Sequence, residues 1–314
     1  MRNALRDLPG QLIERPWVDF STNRNQALAI ARNYGDYALF IDADDVLVAD
    51  TDFSLRELQG AGYVIETVVS GVSSWVETLA CLDIDWTWKG VLHEILVAPH
   101  GVTWERLRGL RLHKIGDGAR SALGAREKYA QDALILRQAL QSEPGNTRYR
   151  FYLAHSLRES GQYGAAIEAY KQYFEQGTSP ENRYFSLLTI AVLGAQIGWS
   201  DGDVLDAYRR AYEFRPARAE TMSRLARHHL KHGRYTQAIY CAQAALSSPA
   251  TNDGGLVDLG AWSWKPLDDI AAALLQMGDE AGAVAAYRQM LADPLLPQGE
   301  RQRVQRNLSG LGRS

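Results

Sequence analysis

The chain has 314 residues, enough for two domains of ordinary size. Apolar residues make up 46% of it and charged residues 23%, so the sequence resembles neither a disordered nor a collagen-like protein. With 34 basic and 37 acidic residues the formal charge is −3, so no overall field attracts nucleic acid or an anionic membrane, and we expect no nucleic-acid partner.

Cysteine use and apolar patterning predict a cytoplasmic protein. The two cysteines, Cys81 and Cys241, lie far apart in unrelated contexts, which argues against a disulfide framework or a zinc site. The first residues contain no apolar run of signal-peptide length, and nowhere do about 18 apolar residues follow one another. The sequence therefore predicts no transmembrane segment.

The first part of the chain, residues 1–121, has the texture of an α/β domain, with short apolar runs separated by turns. A helix is predicted over Asn25–Asn33, where QALAIARN has high helix propensity. A buried strand is predicted over Tyr37–Ile41. This strand leads directly into the acidic segment Asp42–Asp45.

The acidic segment at the end of this strand has two interpretations. Carboxylates at the carboxyl edge of a parallel sheet face the crevice where ligands bind. Alternate residues of an extended chain point the same way, so Asp42 and Asp44 would reach one divalent cation together. Magnesium or manganese suits such an all-oxygen site and bridges a nucleotide diphosphate. The alternative is a solvated turn in which Asp45 caps the next segment.

The second part of the chain, residues 122–314, shows an internal repeat. Gly161, Gly198 and Gly233 are separated by 37 and 35 residues, close to the tetratricopeptide (TPR) period of about 34. Each hairpin of this type needs small residues where its helices cross, a glycine to end the first helix, and an aromatic between the helices. The residues at these places are Ala154, Tyr163, Ala166 and Tyr170; Ala191, Ala207, Tyr208 and Ala211; Ala226, Tyr235, Ala238 and Ala242; and Ala271, Gly278, Ala283 and Tyr287. An all-α TPR solenoid follows from this pattern.

One interval of the repeat is longer than the others. Gly233 and Gly278 are 45 residues apart, which predicts an insertion of about ten residues within or near TNDGGLVDLGAWSW. Insertions of this kind lie on one face of the stack, and we expect this one to be functional.

Two segments of the first part resemble family-two inverting glycosyltransferases of the GT-A type. ERPWVDFSTNRNQALAIARNYGDYALFIDADDVL is similar to the middle of their catalytic domain, where an aspartate motif follows a central strand. DIDWTWKGVLHEILVAP is similar to their Trp-x-Gly-x-x-His-Glu segment. The motif order looks like that of bacterial glycosyltransferases with a C-terminal repeat domain. The resemblance implies a partial GT-A (Rossmann-like) α/β domain followed by the TPR solenoid.

The resemblance also implies donor-binding residues. Asp42 and Asp44 match the aspartate motif, with Asp44 as the metal ligand and Asp42 as the contact to the ribose or sugar. Arg24 matches a basic position near the diphosphate. Trp88, like Trp86, either stacks on a sugar ring or packs in the core or at an interface. The implied cofactor is Mn²⁺ or Mg²⁺.

An inverting transfer further needs a general base that takes the acceptor proton. By the resemblance, Glu94 is the candidate base, with Asp83 and Asp85 as nearby rivals. His93 would orient it, and His113 would be a third metal ligand. The alternative is that both histidines are packed or solvent-facing side chains.

The sequence departs from this family at its start. Such enzymes open with a first strand and an Asp-x-x-Ser-x-Asp loop that hold the nucleotide base, and about 60 residues of the expected domain have no counterpart here. Three explanations stay open: the chain is a fragment or begins at a late start codon, another chain supplies the segment, or catalysis has been lost.

Two functions are therefore expected from the sequence. The resemblance implies a metal-dependent inverting glycosyltransferase that moves a sugar from a nucleotide diphosphate donor, with UDP-sugars favoured, to a protein, peptide or glycan acceptor. The alternative is a non-enzymatic TPR scaffold with a degenerate or truncated transferase domain, motivated by the missing base-binding segment. A protein partner on the repeat domain is compatible with both.

Overall fold

The structure is a computed structural model of the chain and describes residues 10–43, 45–54, 58–69, 72–99, 101–114, 124–253 and 255–311. Up to residue 114 the elements are α1 (Phe20–Ala31), β1 (Tyr37–Leu39), β2 (Asp45–Ala49), β3 (Gly62–Val69), β4 (Val72–Cys81), β5 (Thr87–Lys89), β6 (Ile95–Val97) and β7 (Trp104–Lys114). The elements that follow are α2 (Ala125–Ser142), α3 (Thr147–Glu159), α4 (Tyr163–Gln176), α5 (Pro180–Gln196), α6 (Asp201–Phe214), α7 (Ala219–Lys231), α8 (Tyr235–Leu246), β8 (Val257–Asp258), a 3-10 turn (Leu259–Trp262), α9 (Trp264–Gln276), α10 (Glu280–Ala292) and α11 (Gln298–Leu311).

Helix α1 begins at Phe20 rather than at the predicted Asn25. Its N-cap is Asp19, whose carboxylate accepts a hydrogen bond from the backbone N–H of Thr22 at 2.7 Å and another from the hydroxyl of Ser21 at 2.8 Å. These hydrogen bonds, with that from Thr22 the stronger influence, hold the pKa of Asp19 below its usual value. The cap therefore sets the helix start ahead of the apolar segment on which the prediction depended.

The strands of the first part form antiparallel pairs. The main sheet has the order β1-β4-β3-β7-β2, and β8 also pairs with β4. The pairings of β1 with β4, β2 with β7, β4 with β8 and β5 with β6 are all antiparallel. Among the described residues before 115, α1 is the one α-helix.

This arrangement corrects the predicted fold of the first part. A Rossmann-like GT-A domain is built on parallel strands, and parallel strands need crossover connections, usually helices. The four strand pairs named above are antiparallel and show no Rossmann-like sheet. The strand predicted over Tyr37–Ile41 is only the three-residue β1, and it pairs with the end of β4. The α/β prediction is thus confirmed only as a strand-rich sheet with a helix.

The chain divides into two compact units. The first comprises Met1–Ile41, Leu55–Val64 and Glu77–Arg106, and the second comprises Asp42–Ser54, Ile65–Val76 and Leu107–Ser314. The predicted domain boundary between residues 121 and 122 lies outside the described residues and stays a prediction.

Each unit has its own core around the strands. In the first unit, Leu28 of α1 packs with Ala80 of β4 and with the buried rings of Trp86 and Trp88. Trp88 therefore belongs to the core, and its ring meets that of Phe40 edge-on at 5.1 Å. In the second unit, Ile65, Leu110 and Leu112 form a small core on which Phe53 and Leu107 pack.

The second unit contains the predicted helical hairpins. The pairs are α3 with α4, α5 with α6, α7 with α8 and α9 with α10, flanked by α2 and α11. The four repeat glycines take φ angles of 84° (Gly161), 84° (Gly198), 68° (Gly233) and 82° (Gly278). This left-handed conformation ends the first helix of each hairpin and strongly favours glycine, because a Cβ atom would clash with the backbone. The TPR-type prediction for this part is confirmed.

The recurring alanines lie where the helices cross. The following predicted positions are completely buried: Ala154, Ala166, Ala191, Ala211, Ala226, Ala238, Ala242, Ala271 and Ala283. The predicted aromatics Tyr170, Tyr208 and Tyr287 are buried with them. Small side chains allow close helix approach, and the tyrosine rings fill the space between the helices.

No helix among the described residues combines the length and apolar character needed to span a bilayer. The expected absence of a transmembrane segment is consistent with this finding. The cytoplasmic location stays a prediction.

Candidate binding surfaces

Three of the predicted site residues come together in the first unit. Arg24 of α1 donates from Nε to Oε1 of Glu94 at 2.6 Å, and its guanidinium lies 4.8 Å from the ring centroid of Trp88. The side chain of Glu94 is 11% exposed. Glu94, the predicted base, is thus already paired with Arg24, the residue predicted to lie near the diphosphate.

The same segment is bound to α1 through its backbone. The side-chain oxygen of Asn25 accepts from the N–H of Trp88 at 2.7 Å, and its amide donates to the carbonyl of Trp88 at 3.0 Å. Gly90 has a φ of 124° and His93 a φ of 52°. A positive φ is energetically unfavourable for a residue other than glycine, such as His93. Arg24 and Asn25 of α1 therefore hold the strained turn of the Trp-x-Gly-x-x-His-Glu segment against the helix.

The remaining predicted site residues lie elsewhere. The carbonyl of Asp42 accepts from the N–H of Asp45 at 3.0 Å, as in a turn at the end of a strand. His113 lies in β7 opposite Val46 of β2 and is exposed. Asp44 lies outside the described residues. The metal-binding roles of Asp44 and His113 with Mn²⁺ or Mg²⁺ stay predictions.

The two rival bases differ from Glu94 in their surroundings. Asp85 accepts a hydrogen bond from Arg32 at 3.2 Å, and its side chain is 87% exposed. Asp83 is also exposed. Of the three carboxylates, that of Glu94 is the least exposed.

The insertion between α8 and α9 is anchored by buried charge in the second unit. Arg218, just before α7, donates to Glu220, to Asp253 at 2.9 Å and to the carbonyl of Leu256 at 2.8 Å. Arg215 also binds Asp253. Burial lowers the pKa of Arg218, but the hydrogen bonds to its acidic partners outweigh burial and raise it overall.

Two further contacts seat the insertion. A Cβ atom on Gly255 would approach the Cβ of Glu181 to 2.7 Å, so this close approach requires glycine. Val257 and Asp258 form β8, which pairs with Ser73 and Val72 of β4. These contacts fix the insertion within the second unit. Its functional role stays a prediction.

A groove of about 300 Å³ lies between α5, α6 and α7, and we call it the α7 groove. Its residues are Val192, Ala195, Gln196, Trp199, Asp201, Val204, Tyr208, Arg224, Arg227, His228, Lys231 and His232. Arg224, Arg227, His228 and Lys231 follow the spacing i, i+3, i+4 and i+7, which places them on one face of α7. The groove therefore has a cationic wall and an aromatic floor.

A cluster of three metal-ligating side chains lies at the α7 groove. Asp201, His228 and His232 each offer a ligand atom, and these atoms lie within 4.8 Å of one another. Among the described residues, this is the one group of three or more histidine, cysteine or acidic side chains so placed. Arg234 donates two hydrogen bonds to Asp201, at 2.5 and 2.8 Å. The bonds from Arg234, followed by that from His228, hold the pKa of Asp201 below its usual range.

Sequence reasoning missed this cluster. The signal available was the pair His228 and His232, whose spacing of four residues places both on one face of a helix. The cysteine count had argued against a zinc site, but histidine and aspartate ligands need no cysteine. Asp201 comes from another helix, so no local pattern contained it.

A second hollow, of about 590 Å³, lies over α4, α5 and α6. Phe174 and Trp199 line it with Lys171, Arg210 and Asp206 among others. Basic and acidic side chains are mixed along its wall, so the hollow favours neither an anionic nor a cationic ligand.

No family model and no curated protein matches the chain. Similar solved structures are TPR proteins. MamA is 14% identical, with 60% of this chain and 98% of that chain covered and a TM-score of 0.42. YrrB, a TPR protein with an unusual peptide-binding site, is 8% identical, with 60% and 88% covered and a TM-score of 0.41. A thermophilic TPR protein of Thermus thermophilus is 16% identical, with 62% and 96% covered and a TM-score of 0.42. Values this low carry no argument about function.

The strand pairing corrects the transferase interpretation. The similar structures are TPR proteins and not glycosyltransferases. The first part of the chain forms antiparallel strand pairs where a GT-A domain needs parallel ones. The predicted membership of family two, the sugar-transferring activity and the description as a glycosyltransferase enzyme are therefore wrong, and a nucleotide-sugar donor has no support. The individual roles of the residues carried over from that family stay untested predictions.

Proposed function

We propose that this chain is a non-enzymatic repeat scaffold whose α7 groove binds an acidic segment of a partner protein. Stacked helical hairpins build extended surfaces from corresponding helices of successive repeats, and such surfaces suit partner chains. The observation that carries the proposal is the cationic wall of the α7 groove.

The charges at this wall favour an acidic partner. Arg224, Arg227 and Lys231 stand on one face of α7, where Arg227 is also paired with Asp268 and Asp269. Asp201 is the acidic residue that lines the groove with them. Arg224 meets Asp258 only at 3.4 Å, and its side chain is 48% exposed. Such an exposed guanidinium keeps donors available for a second carboxylate. Because the whole chain is slightly acidic, any preference for an acidic peptide must come from a local surface.

The floor of the groove adds apolar contact. Trp199 and Tyr208 line it with Val192 and Val204, beneath the charged wall. Recognition sites often combine an apolar floor with a few placed polar groups, because the floor supplies contact area and the polar groups fix orientation. The proposed occupant is therefore an extended segment in which acidic residues alternate with apolar ones.

Fluorescence anisotropy tests this proposal with three labelled octapeptides: alternating Glu-Leu, alternating Lys-Leu and Gly-Ser. Buffer with a chelator keeps metal ions out of the measurement. The variant that matters is Arg224→Glu with Lys231→Glu, since both side chains are exposed and the fold should survive. The matched control is Arg288→Glu on α10, an exposed arginine away from the groove.

The Glu-Leu peptide should bind the native chain more tightly than the other two peptides and more weakly as salt is added. The double variant should lose at least about 10-fold in affinity, because each lost charge contact contributes on the order of 1 kcal/mol. Arg288→Glu should leave the affinity unchanged. Equal affinity for all peptides, or equal losses in variant and control, would overturn the assignment.

A further inference from the structure

We propose that Asp201, His228 and His232 form a binding site for one divalent transition-metal ion of the zinc type at the α7 groove. The metal site does not depend on the proposed acidic partner, because its three side chains are close together in the chain alone. Two imidazole nitrogens and a carboxylate oxygen supply three ligands, which leaves a fourth position for water or another donor.

The geometry is close to what one ion requires. His228 lies in the last turn of α7 and His232 is the C-cap residue of this helix, and their ring centroids are 4.3 Å apart. Nε2 of His228 lies 2.8 Å from Oδ1 of Asp201. Two ligands bound to one tetrahedral zinc ion at about 2.1 Å each are about 3.4 Å apart. Side-chain adjustments of well under one ångström therefore admit an ion between His228 and Asp201.

The orientation of His232 matches that of a metal ligand. Its Nδ1 lies 2.9 Å from the backbone carbonyl oxygen of His228. A carbonyl only accepts, so Nδ1 carries the proton of this bond, and in the neutral ring Nε2 is the nitrogen with the lone pair. Metal-binding histidines commonly donate their second ring nitrogen to a backbone carbonyl, which fixes the tautomer and the ring.

Arg234 fixes the carboxylate of Asp201 by hydrogen bonding. The two hydrogen bonds from Arg234 reach both oxygens of the carboxylate. Ligating carboxylates are themselves commonly hydrogen-bonded, so Arg234 acts as an outer partner that positions Asp201. Its positive charge also repels the ion, and we expect weaker binding than in a zinc site without a nearby guanidinium. For Nε2 of His228 to ligate an ion, the ring proton must lie on Nδ1, because a nitrogen that carries a proton has no lone pair to donate.

The donor set selects the class of ion. Imidazole nitrogen suits zinc, cobalt, nickel and copper, whereas magnesium and calcium prefer oxygen ligands throughout. The site should therefore respond to Zn²⁺ and Co²⁺ and ignore Mg²⁺. His228 is buried, with 7% exposed, whereas His232 is exposed. An ion would therefore enter the site from the side of His232.

Titration of the full chain, free of any affinity tag, with Zn²⁺ and with Co²⁺ tests the site. Calorimetry measures stoichiometry and affinity for Zn²⁺, and the visible absorption of four-coordinate cobalt reports ligand geometry. His232→Ala removes an exposed ligand at the end of α7. His229→Ala is the matched control, since this neighbouring imidazole is outside the cluster. Thermal unfolding of both variants checks that they fold.

We expect one equivalent of Zn²⁺, a four-coordinate cobalt spectrum, no heat with Mg²⁺, and a rise in Tm that a chelator reverses. His232→Ala should lower the affinity at least about 10-fold and abolish the cobalt spectrum, because a direct ligand matters at least as much as an outer partner. His229→Ala should bind as the native chain does. No stoichiometric binding, or the same losses in both variants, would overturn the assignment and leave a hydrogen-bonded cluster. Because no peptide is present, this outcome is separate from that of the anisotropy assay.

Discussion

Replacing Arg218 with methionine tests whether buried charge holds the insertion on the helical array. Arg218 is 2% exposed and bonds both Glu220 and Asp253. Methionine keeps much of the apolar volume but leaves Glu220, which is 3% exposed, without a counter-charge. Removing one member of a buried ion pair costs about 3–5 kcal/mol. We therefore expect a large loss of stability from this one substitution.

The expected change is measurable by thermal unfolding followed by circular dichroism. At about 2–4 °C per kcal/mol for 150–250 residues, the Tm should fall by roughly 6–20 °C. The released insertion should also become sensitive to limited proteolysis around Asp253. The control is Arg209→Met, because Arg209 also has two acidic partners, Asp206 and Glu213, but all three are exposed. Exposed pairs contribute little, so this control should hardly change Tm.

A second substitution separates lost charge pairing from lost packing. Adding Glu220→Gln to Arg218→Met removes the unpaired buried charge, so the double variant should be more stable than Arg218→Met alone. The reasoning is refuted if Arg218→Met and Arg209→Met lower Tm equally, or if Glu220→Gln worsens the Arg218→Met variant.

Three further predictions concern a turn, a buried carboxyl and a backbone contact. Gly278→Ala should destabilise the fourth hairpin by about 1–2 kcal/mol in urea unfolding, because its φ of 82° disfavours any residue with a Cβ atom. Burial, opposed in part by Arg227, raises the pKa of Asp269 to about 7, so the stabilisation present below its unfolded pKa should be lost as pH rises to about 7. Asp269→Asn should remove this part of the pH dependence of Tm. Asn25→Ala should cost about 1–3 kcal/mol, because it leaves the backbone groups of Trp88 without their partner.

Each of these has a contrasting measurement. Gly299→Ala in α11, where a Cβ atom meets nothing within 4 Å, should stabilise the helix, opposite to Gly278→Ala. For Asp269, an unchanged slope of Tm against pH in the asparagine variant would contradict the prediction. For Asn25, the test is Asn25→Asp, which keeps the acceptor for the N–H of Trp88 and should retain more stability than Asn25→Ala.

The transferase interpretation failed because its motifs serve local packing in this structure. Arg24 and Asn25 bind the segment around Trp88, and Glu94 pairs with Arg24. These residues are close in space, as the resemblance implied, yet strand direction decides whether they stand at a Rossmann-like crevice. An apolar run followed by aspartates does not distinguish a parallel strand from an antiparallel one, because side chains alternate between the two faces with a period of two in both kinds of sheet.

The sequence by itself determined the hairpin array. A glycine that ends a helix, an alanine at a crossing and a tyrosine between two helices act within one repeat of the chain, so their spacing is legible in the sequence. Gly161 and Ala166, for example, lie five residues apart and belong to the same hairpin. The longer interval before Gly278 located the insertion for the same reason.

The tertiary structure alone decided the strand partners, the anchoring of the insertion and the two proposed sites. β8 pairs with β4, whose residues Val72 and Ser73 lie far earlier in the chain than their partners Asp258 and Val257, and Arg218 binds Asp253 of another segment. Asp201 reaches His228 from a neighbouring hairpin. Contacts between segments depend on how whole elements pack, and no local periodicity encodes that packing.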